Sequence, residues 1–513
     1  MIKKYLILFT ILPIIASGAG FRSHSVLSSG TWYKIGVTHT GIQKVTYGNL
    51  VSLGIDPSGI VPANLRVYGN GGGMLPEKVG VDRIDDLREN PILVVDGNDG
   101  SFDPGDYILF YGVGSDQVKY NATTRLFYHE KNIYSDTACY FINTDLGPGK
   151  RIGTIASDTL PVNSYSNRFA DFAFYDHDLT NLIRSGKTWV GEEFNDTATS
   201  HEFQFVFPNI DQTSGVRFTL STVARSELVT YFNLYANDTL VDEIQMDFTD
   251  LDSYTYARPK LKSSLFFSPT DTLRVRLEYP LLSTASHGWL NYIEINLQRY
   301  LVWTGPQMSF RDVNSIGPSK NTEFKIQDAA PGLTVWEITS LDSIRQVEPL
   351  QQDSIFKFRL PTPDLREFVA FDGSFFYPVN PIGPVENQDL HGSDPARLVI
   401  ITHPLFLEQA ERLAAFHREH DGLTTLVVTP AKIYNEFSSG QQDVTALRDF
   451  IKMNYEGNSG QPGYVLFFGD GSYDYKNRIP GNNNMVPAFE SEESFKTSST
   501  FLTDDFYCAL EDG

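Results

Sequence analysis

Cysteine is nearly absent, with 2 among 513 residues, Cys139 and Cys508. So small a supply excludes a disulfide framework, and the two lie far apart in what read as separate domains, so both are expected to be buried thiols. Positive charge is the second shortage: Lys plus Arg number 41 against 63 Asp plus Glu, a formal net charge of −22. A chain this acidic repels phosphate backbones, which argues against nucleic acid as a partner. No long apolar run follows residue 20, so no membrane-spanning helix is expected in the mature chain. Internal repeats and low-complexity tracts are missing too. Aromatics and glycine are plentiful, with 26 Tyr, 36 Phe and 40 Gly. That mixture suits pleated, half-buried surfaces joined by tight turns, so the protein is expected to be rich in strand.

The first residues set the compartment. Lys3 and Lys4 precede an apolar run from Tyr5 to Ile15, and the small residues Ala16-Ser17-Gly18-Ala19 follow. This predicts a signal peptide over residues 1–20 and export of the remainder. No cysteine follows the run, which excludes a lipoprotein.

Four further segments are expected. Residues 21–160 read as an N-terminal β-rich domain, with Trp32–Val37 and Ile42–Val45 as a hairpin about Thr40-Gly41. Residues 161–301 read as a β-sandwich, because 203–207, 216–223, 231–235, 273–279 and 290–297 alternate with period two and no helical pattern separates them. Residues 302–385 read as a small β domain closed by a linker, since prolines punctuate Tyr377–Pro384. Residues 386–513 change character. Arg397–Thr402, Thr424–Val428 and Tyr464–Phe468 are continuous apolar runs, as in strands buried on both faces. Helical stripes lie between them: Phe406, Ala410, Leu413 and His417, then Val444, Leu447, Ile451 and Tyr455 with Asp443 as cap. The fold class is therefore multidomain: β-rich domains followed by the first βαβαβ half of an α/β domain. In such a sheet the active crevice lies beyond the strand carboxyl ends, here Thr402-His403, Thr429 and Gly469-Asp470.

Candidates for chemistry must outweigh plainer readings. Asp470, in the Gly469–Ser472 loop, lines that crevice or merely caps turn amides. Asp504 and Asp505 reach the same crevice if a fourth strand brings them there; otherwise they form a solvated loop. Ser472 lacks the x-Gly that a nucleophile elbow requires. No histidine lies near Cys508 in sequence, so it reads as a core thiol. His403 reads as a helix-start residue and His287 as a turn residue. His417 and His420 fall one residue short of metallopeptidase spacing. The run from Asp96 to Asp106 is dense in hard oxygen ligands and could hold calcium, but Gly100 breaks EF-hand register, which favours a turn-rich loop. Gly69–Gly73 is followed by neither Lys-Ser/Thr nor a helix and reads as a turn. No cofactor or metal ligand set is assigned.

Several motifs nonetheless form a familiar set. They are Asn387–Gly392, Ile433–Asp443 continuing into Ala446–Phe450, Phe468–Asp474 and Thr503–Tyr507. Arg66–Gly72, Phe102–Tyr107 and Gly288–Glu294 extend the set through the N-terminal half. Together they resemble the gingipain-type cysteine peptidases of family C25, and more narrowly the sortases of the type IX secretion system of Bacteroidetes. The resemblance implies a caspase-like peptidase domain at the cell surface. It would remove the C-terminal secretion signal of cargo proteins through a thioester and pass the cargo to an amine on lipopolysaccharide. It also implies a PorV-like outer-membrane barrel as partner. The family's histidine and cysteine would lie beyond Gly513, so no catalytic residue is assigned, and the chain is expected to be a fragment inactive alone. Two other readings stay open: a surface scaffold whose peptidase-like domain has decayed, and a secreted gingipain-like endopeptidase.

Overall fold

The computed structural model describes residues 20–97, 99–461 and 463–511. The expected signal peptide thus lies outside the described residues, apart from Gly20. Among the described residues, no helix is long and apolar enough to cross a membrane.

Three two-sheet sandwiches are nested in one another. In the first, one sheet runs Asn380–Val385, Trp32–Val37, Ala138–Asn143, Arg66–Tyr68, Glu89–Asn90. The facing sheet runs Tyr377–Pro378, Gly41–Thr46, Tyr107–Gly112, Leu93–Val95. Ile35, Val37, Tyr140 and Ile142 meet Val45, Ile108 and Phe110 in the core between them. The expected hairpin is therefore corrected. Trp32–Val37 pairs with Ala138–Asn143 and Asn380–Val385, whereas Gly41–Thr46 pairs with Tyr107–Gly112. Thr38-His39-Thr40 carries the chain from one sheet to the other. The expected linker is corrected too: Tyr377–Pro378 and Asn380–Val385 are strands of this first sandwich. Pro381 and Pro384 lie opposite Ile35 and Tyr33 on the outermost strand, where a missing backbone donor is tolerated.

The second sandwich faces Arg168–Asp176, His287–Tyr300, Val216–Arg225, Arg258–Phe266 against Ser200–Val206, Thr272–Glu278, Thr230–Ala236, Thr239–Met246. His287 opens a strand rather than sitting in the expected turn. The third sandwich gathers strands from both sides of the second. Gly153–Ala156 pairs with Arg345–Glu348, and Ser164–Ser166 pairs with Asn321–Gln327. The expected boundary at residue 160 therefore cuts through this third unit. The hairpin Gln117–Asn121/Leu126–Glu130 of the first unit reaches across to the second, where the Phe127 and His129 amides bond to Asn296 and Glu294.

The last unit is a three-stranded parallel sheet, ordered Thr425–Val428, Leu398–Thr402, Tyr464–Phe468. Helix Leu407–Asp421 covers one face, and Pro430–Phe437 with Val444–Gly457 covers the other. The βαβαβ expectation holds, with Pro430–Phe437 as an additional helix. Residues 444 to 451 are buried on every side, because the first sandwich packs against the face turned away from the sheet.

Candidate peptidase site and its docking surface

The strand carboxyl ends meet as the topology requires. Thr402 lies opposite Phe468, and its hydroxyl donates to the Phe468 carbonyl at 3.1 Å. His403 does not face a reacting centre: its Nδ1 accepts the Leu405 amide at 3.2 Å and caps the turn Pro404–Phe406. Thr429 precedes helix Pro430–Phe437, and its carbonyl takes the Lys432 and Ile433 amides. The Gly469–Ser472 loop is fixed from outside, since the Asp470 carbonyl accepts the amides of Met485 and Val486 at 2.9 and 3.0 Å. A side chain at Gly471 would come 3.0 Å from the Val486 carbonyl oxygen, so close approach requires glycine there. The Asp470 side chain is exposed.

Asp504 and Asp505 do not follow a fourth parallel strand. Leu502–Thr503 instead pairs antiparallel with Phe489–Glu490, correcting that expectation. The two acidic loops are connected through residues 485–490, but no hydrogen bond or ion pair joins Asp470 to Asp504 or Asp505. Partial burial, then the neighbouring Asp505, pushes the Asp504 carboxyl up. Among the described residues the arrangement supplies exposed carboxylates beyond the strand ends and no cysteine paired with a histidine.

The cysteines part company. Cys139 is buried, and its thiol is pushed up by burial, with Lys34 opposing. Cys508, expected in the core, is exposed. The tight turn Asp505–Cys508 sends Tyr507 inward, its hydroxyl donating to the Pro487 carbonyl, and leaves Cys508 outside. Iodoacetamide should therefore modify Cys508 in the native protein and reach Cys139 only after denaturation, as peptide mass mapping would reveal; equal labelling of both would contradict this packing.

His417 bonds Asp421 at 2.6 Å, and the exposed His420 packs on Phe416. In the 96–106 loop, Asp99 accepts the Ser101 amide at 3.0 Å and Asp106 accepts the Asp103 amide at 2.6 Å, as in turns; Asn98 lies outside the described residues. Among the described residues, no group of three His, Cys, Asp or Glu side chains suits a metal ion.

What residue patterns missed is a buried polar surface on which the α/β unit docks. Glu436, fully buried, accepts the Leu390 amide at 2.8 Å and the Gln388 side-chain amide at 2.8 Å. His391 lies between two carboxylates, Glu436 at 2.6 Å and Asp85 of the first sandwich at 2.8 Å. Burial opposes the imidazolium, but the two carboxylates outweigh it and push the His391 pKa up to about 9. Asp443 caps its helix through the Thr445 amide and accepts the Leu75 amide at 2.8 Å. Burial pushes its carboxyl up to about 7, against those two backbone donors. Arg83 reaches both Asp449 oxygens, at 2.8 and 2.6 Å.

The glycine run 69–73 is more than the expected turn. A side chain at Gly72 would sit 1.6 Å from the Gly114 carbonyl oxygen, while Gly71 and Asn70 bond Gln441 and Ser439 of the α/β unit. The signal lay in the polar residues Gln388, His391, Asn435 and Glu436, which interrupt runs that end up buried.

Residues 391–513 match a family profile described as peptidase family C25. The fold is similar to the crystal structure of dimeric latent PorU from Porphyromonas gingivalis, with TM-score 0.81 and 26% identity over 96% of this chain. The match covers 47% of that PorU chain, so this chain spans about half its length. A carbohydrate-binding module CBM36 in complex with calcium and xylotriose aligns with 24% of this chain and 98% of its own, at 11% identity and TM-score 0.17, too slight to bear on fold or function. Comparison with curated proteins gives no match. Residues 391–513 thus match the family C25 peptidase profile, and the chain as a whole is similar in fold to PorU.

Proposed function

We propose that the chain belongs to a cell-surface cysteine peptidase of sortase type, which removes the C-terminal secretion signal of cargo proteins and transfers them to lipopolysaccharide. In this reading the protein is exported by its signal peptide, and a PorV-like barrel anchors it at the outer membrane. The observation that carries the proposal is the extent of the likeness to PorU, which runs through all three sandwiches as well as the peptidase unit. A gingipain-like endopeptidase accounts for the peptidase unit but gives no reason for the sandwiches to match. Acyl transfer through a thioester needs a thiolate, a base and oxyanion donors. Neither Cys139 nor Cys508 has a histidine partner among the described residues, so catalysis is assigned to no residue here. The assigned role is architectural: the first sandwich clamps the peptidase sheet through His391, Glu436 and Asp443, and so fixes the strand ends where cargo would lie.

Deleting the gene in its host tests the proposal. Cargo proteins are expected to keep their C-terminal signals and to lose attached lipopolysaccharide, as read by mass spectrometry of the cell envelope. Normal cargo processing would overturn it. Loss of general cleavage at Arg or Lys with cargo tails still removed would favour the endopeptidase instead.

A further inference from the structure

The second sandwich also holds the α/β unit, and it does so through residues 490–500. Its loops 181–188 and 254–256 supply the contacts. The Lys187 amide donates to the Ser491 carbonyl at 3.1 Å, the Thr188 amide to Ser494 Oγ at 2.9 Å and the Tyr256 amide to the Phe495 carbonyl at 2.7 Å. In return the Thr497 amide donates to the Tyr254 carbonyl at 2.9 Å. Phe495 packs with Val190, Val223, Ala257 and Trp289 of the sandwich and not with the α/β core. Gly186 has a φ of +79°, and a side chain there would lie 2.6 Å from the Glu493 carbonyl oxygen, so the two backbones meet with no room between them. Nearby, Trp189 stacks on Tyr473, the residue after the Gly469–Ser472 loop, and Asp178 pairs with Arg478 at 3.0 Å.

Buried Glu490 is where this contact meets the crevice rim. Its side chain is held by the sandwich: Oε2 accepts the Gly186 amide at 2.8 Å and the Ser185 hydroxyl at 3.1 Å. Those donors are fixed in turn, since Asn181 accepts the Ser185 amide at 3.1 Å and donates to the Gly186 carbonyl at 2.9 Å. Its backbone is held by the α/β unit: the Glu490 amide donates to the Tyr475 hydroxyl at 3.0 Å, which donates to the Ala488 carbonyl at 2.7 Å. Glu490 pairs with Leu502, two residues before Asp504. In the other direction the chain leads back to Met485 and Val486, whose amides hold the Asp470 carbonyl. Both acidic loops are therefore reached within a few residues of one buried carboxyl group. Apolar surfaces in contact can slide, whereas hydrogen bonds to a carboxyl group fix distance and direction.

We propose that Glu490 is a positioning residue, through which the second sandwich places the Asp470 loop and the Asp504–Asp505 turn relative to the strand ends of the α/β sheet. The first sandwich holds the sheet and the second holds the rim, so a shift between the two sandwiches changes the width of the crevice. That cargo lies in this crevice rests on the proposed function; the coupling is measured without cargo, so either can fail alone.

Hydrogen exchange of the full chain, read by mass spectrometry, tests it together with a nitroxide on the exposed Cys508, which reports on the turn Asp505–Cys508. Peptide 483–488 carries the amides that hold Asp470, and peptide 503–509 carries the Tyr507 amide that closes the turn on the Asp504 carbonyl. Glu490→Ala is expected to speed exchange of both by about tenfold or more and to sharpen the nitroxide spectrum. Leu398–Thr402 and Val216–Arg225 should exchange as in wild type. Glu490→Gln keeps an acceptor oxygen for the Gly186 amide and should restore most of the wild-type behaviour. Gly186→Ala disturbs the same link from the sandwich side and should mobilise the same two peptides. Ser185→Ala removes one donor, should speed their exchange by about threefold, and replaces Gly186→Ala if that variant does not fold. Changes confined to 490–500 in the sandwich-side variants would overturn the proposal, as would equal effects of Glu490→Ala and Glu490→Gln. Faster exchange that extends to Leu398–Thr402 would make Glu490 a general support of the unit and would overturn it as well.

Discussion

Glu436→Ala is expected to cost about 3–5 kcal/mol of stability, the scale for removing one partner of a buried ionic cluster. The carboxylate receives the Leu390 and His391 amides, the Gln388 side-chain amide and the His391 ring, all within 3.2 Å. Truncation strands those donors in a site without water access and leaves the charge on His391 balanced by Asp85 alone. Because His391 precedes the parallel sheet while Asp85 belongs to the first sandwich, the loss should appear first as undocking. Segment 387–392 and helix Pro430–Phe437 should gain hydrogen exchange and become cleavable by added protease before the second and third sandwiches do. Denaturant unfolding of wild type and variant gives the magnitude. A double variant with His391→Phe should cost clearly less than the two single changes added, since the interaction is shared. Additive losses, or a Glu436→Ala cost below about 1 kcal/mol, would show that the cluster does not hold the domains together.

Sequence reading succeeded where one side chain's burial depends on its own strand or helix. Phe203–Phe207 and Val216–Val223 alternate because one face of each strand meets the core, and both are strands. Alternation reports a face and not a neighbour, which is why Trp32–Val37 and Gly41–Thr46 were legible as strands but not as members of different sheets. Asn380–Val385 was hidden for a different reason: proline penalises a strand interior but not an outer edge, and whether an edge exists depends on chain 340 residues and more away. The stripe Val444, Leu447, Ile451 was legible as one buried face. Arg448 and Asp449 lie off that stripe and are buried as well, Arg448 with its guanidinium 4.3 Å from the Phe506 ring centre and Asp449 against Arg83. Charge placed on a second buried face cannot be told from solvated charge until the domain that covers it is in place. The strand end before Asp470 was legible because parallel topology fixes where strands end, whereas Asp504 depended on a fourth parallel strand, and Leu502–Thr503 pairs antiparallel instead.

Folding stability should fall as pH rises from about 4 to about 9, the opposite of a protein governed by ordinary carboxylate pairs. Three buried groups set this direction. His391 has a pKa raised from 6.5 to about 9, and so does His129, which lies between Asp176 and Glu294 at 2.8 Å each. For both, burial disfavours the charge and the flanking carboxylates more than restore it. A group whose folded pKa exceeds its unfolded one contributes fully below the unfolded value, and that contribution disappears as pH rises through the folded value. Each histidine therefore stabilises the fold below 6.5 and ceases to do so above about 9, a change of about 3 kcal/mol apiece. Asp443 acts in the same sense at lower pH, since its carboxyl, raised from 3.8 to about 7 by burial, favours the protonated folded state. The limit on the acid side comes from Asp136 and Asp389, whose carboxyls are held low by Lys476 and by His24 with the Ser25 amide, burial opposing in each case. Their contribution exists above the ordinary carboxyl range and is lost as pH falls below it. Urea midpoints at about pH 5, 7 and 10 should decline in that order. The decline between pH 7 and 10 should shrink by about half in His129→Gln, with the remainder assigned to His391. A midpoint that is flat or rises across that interval would mean that neither histidine carries its proton in the folded protein, and that the two carboxylates around each are held by something other than charge.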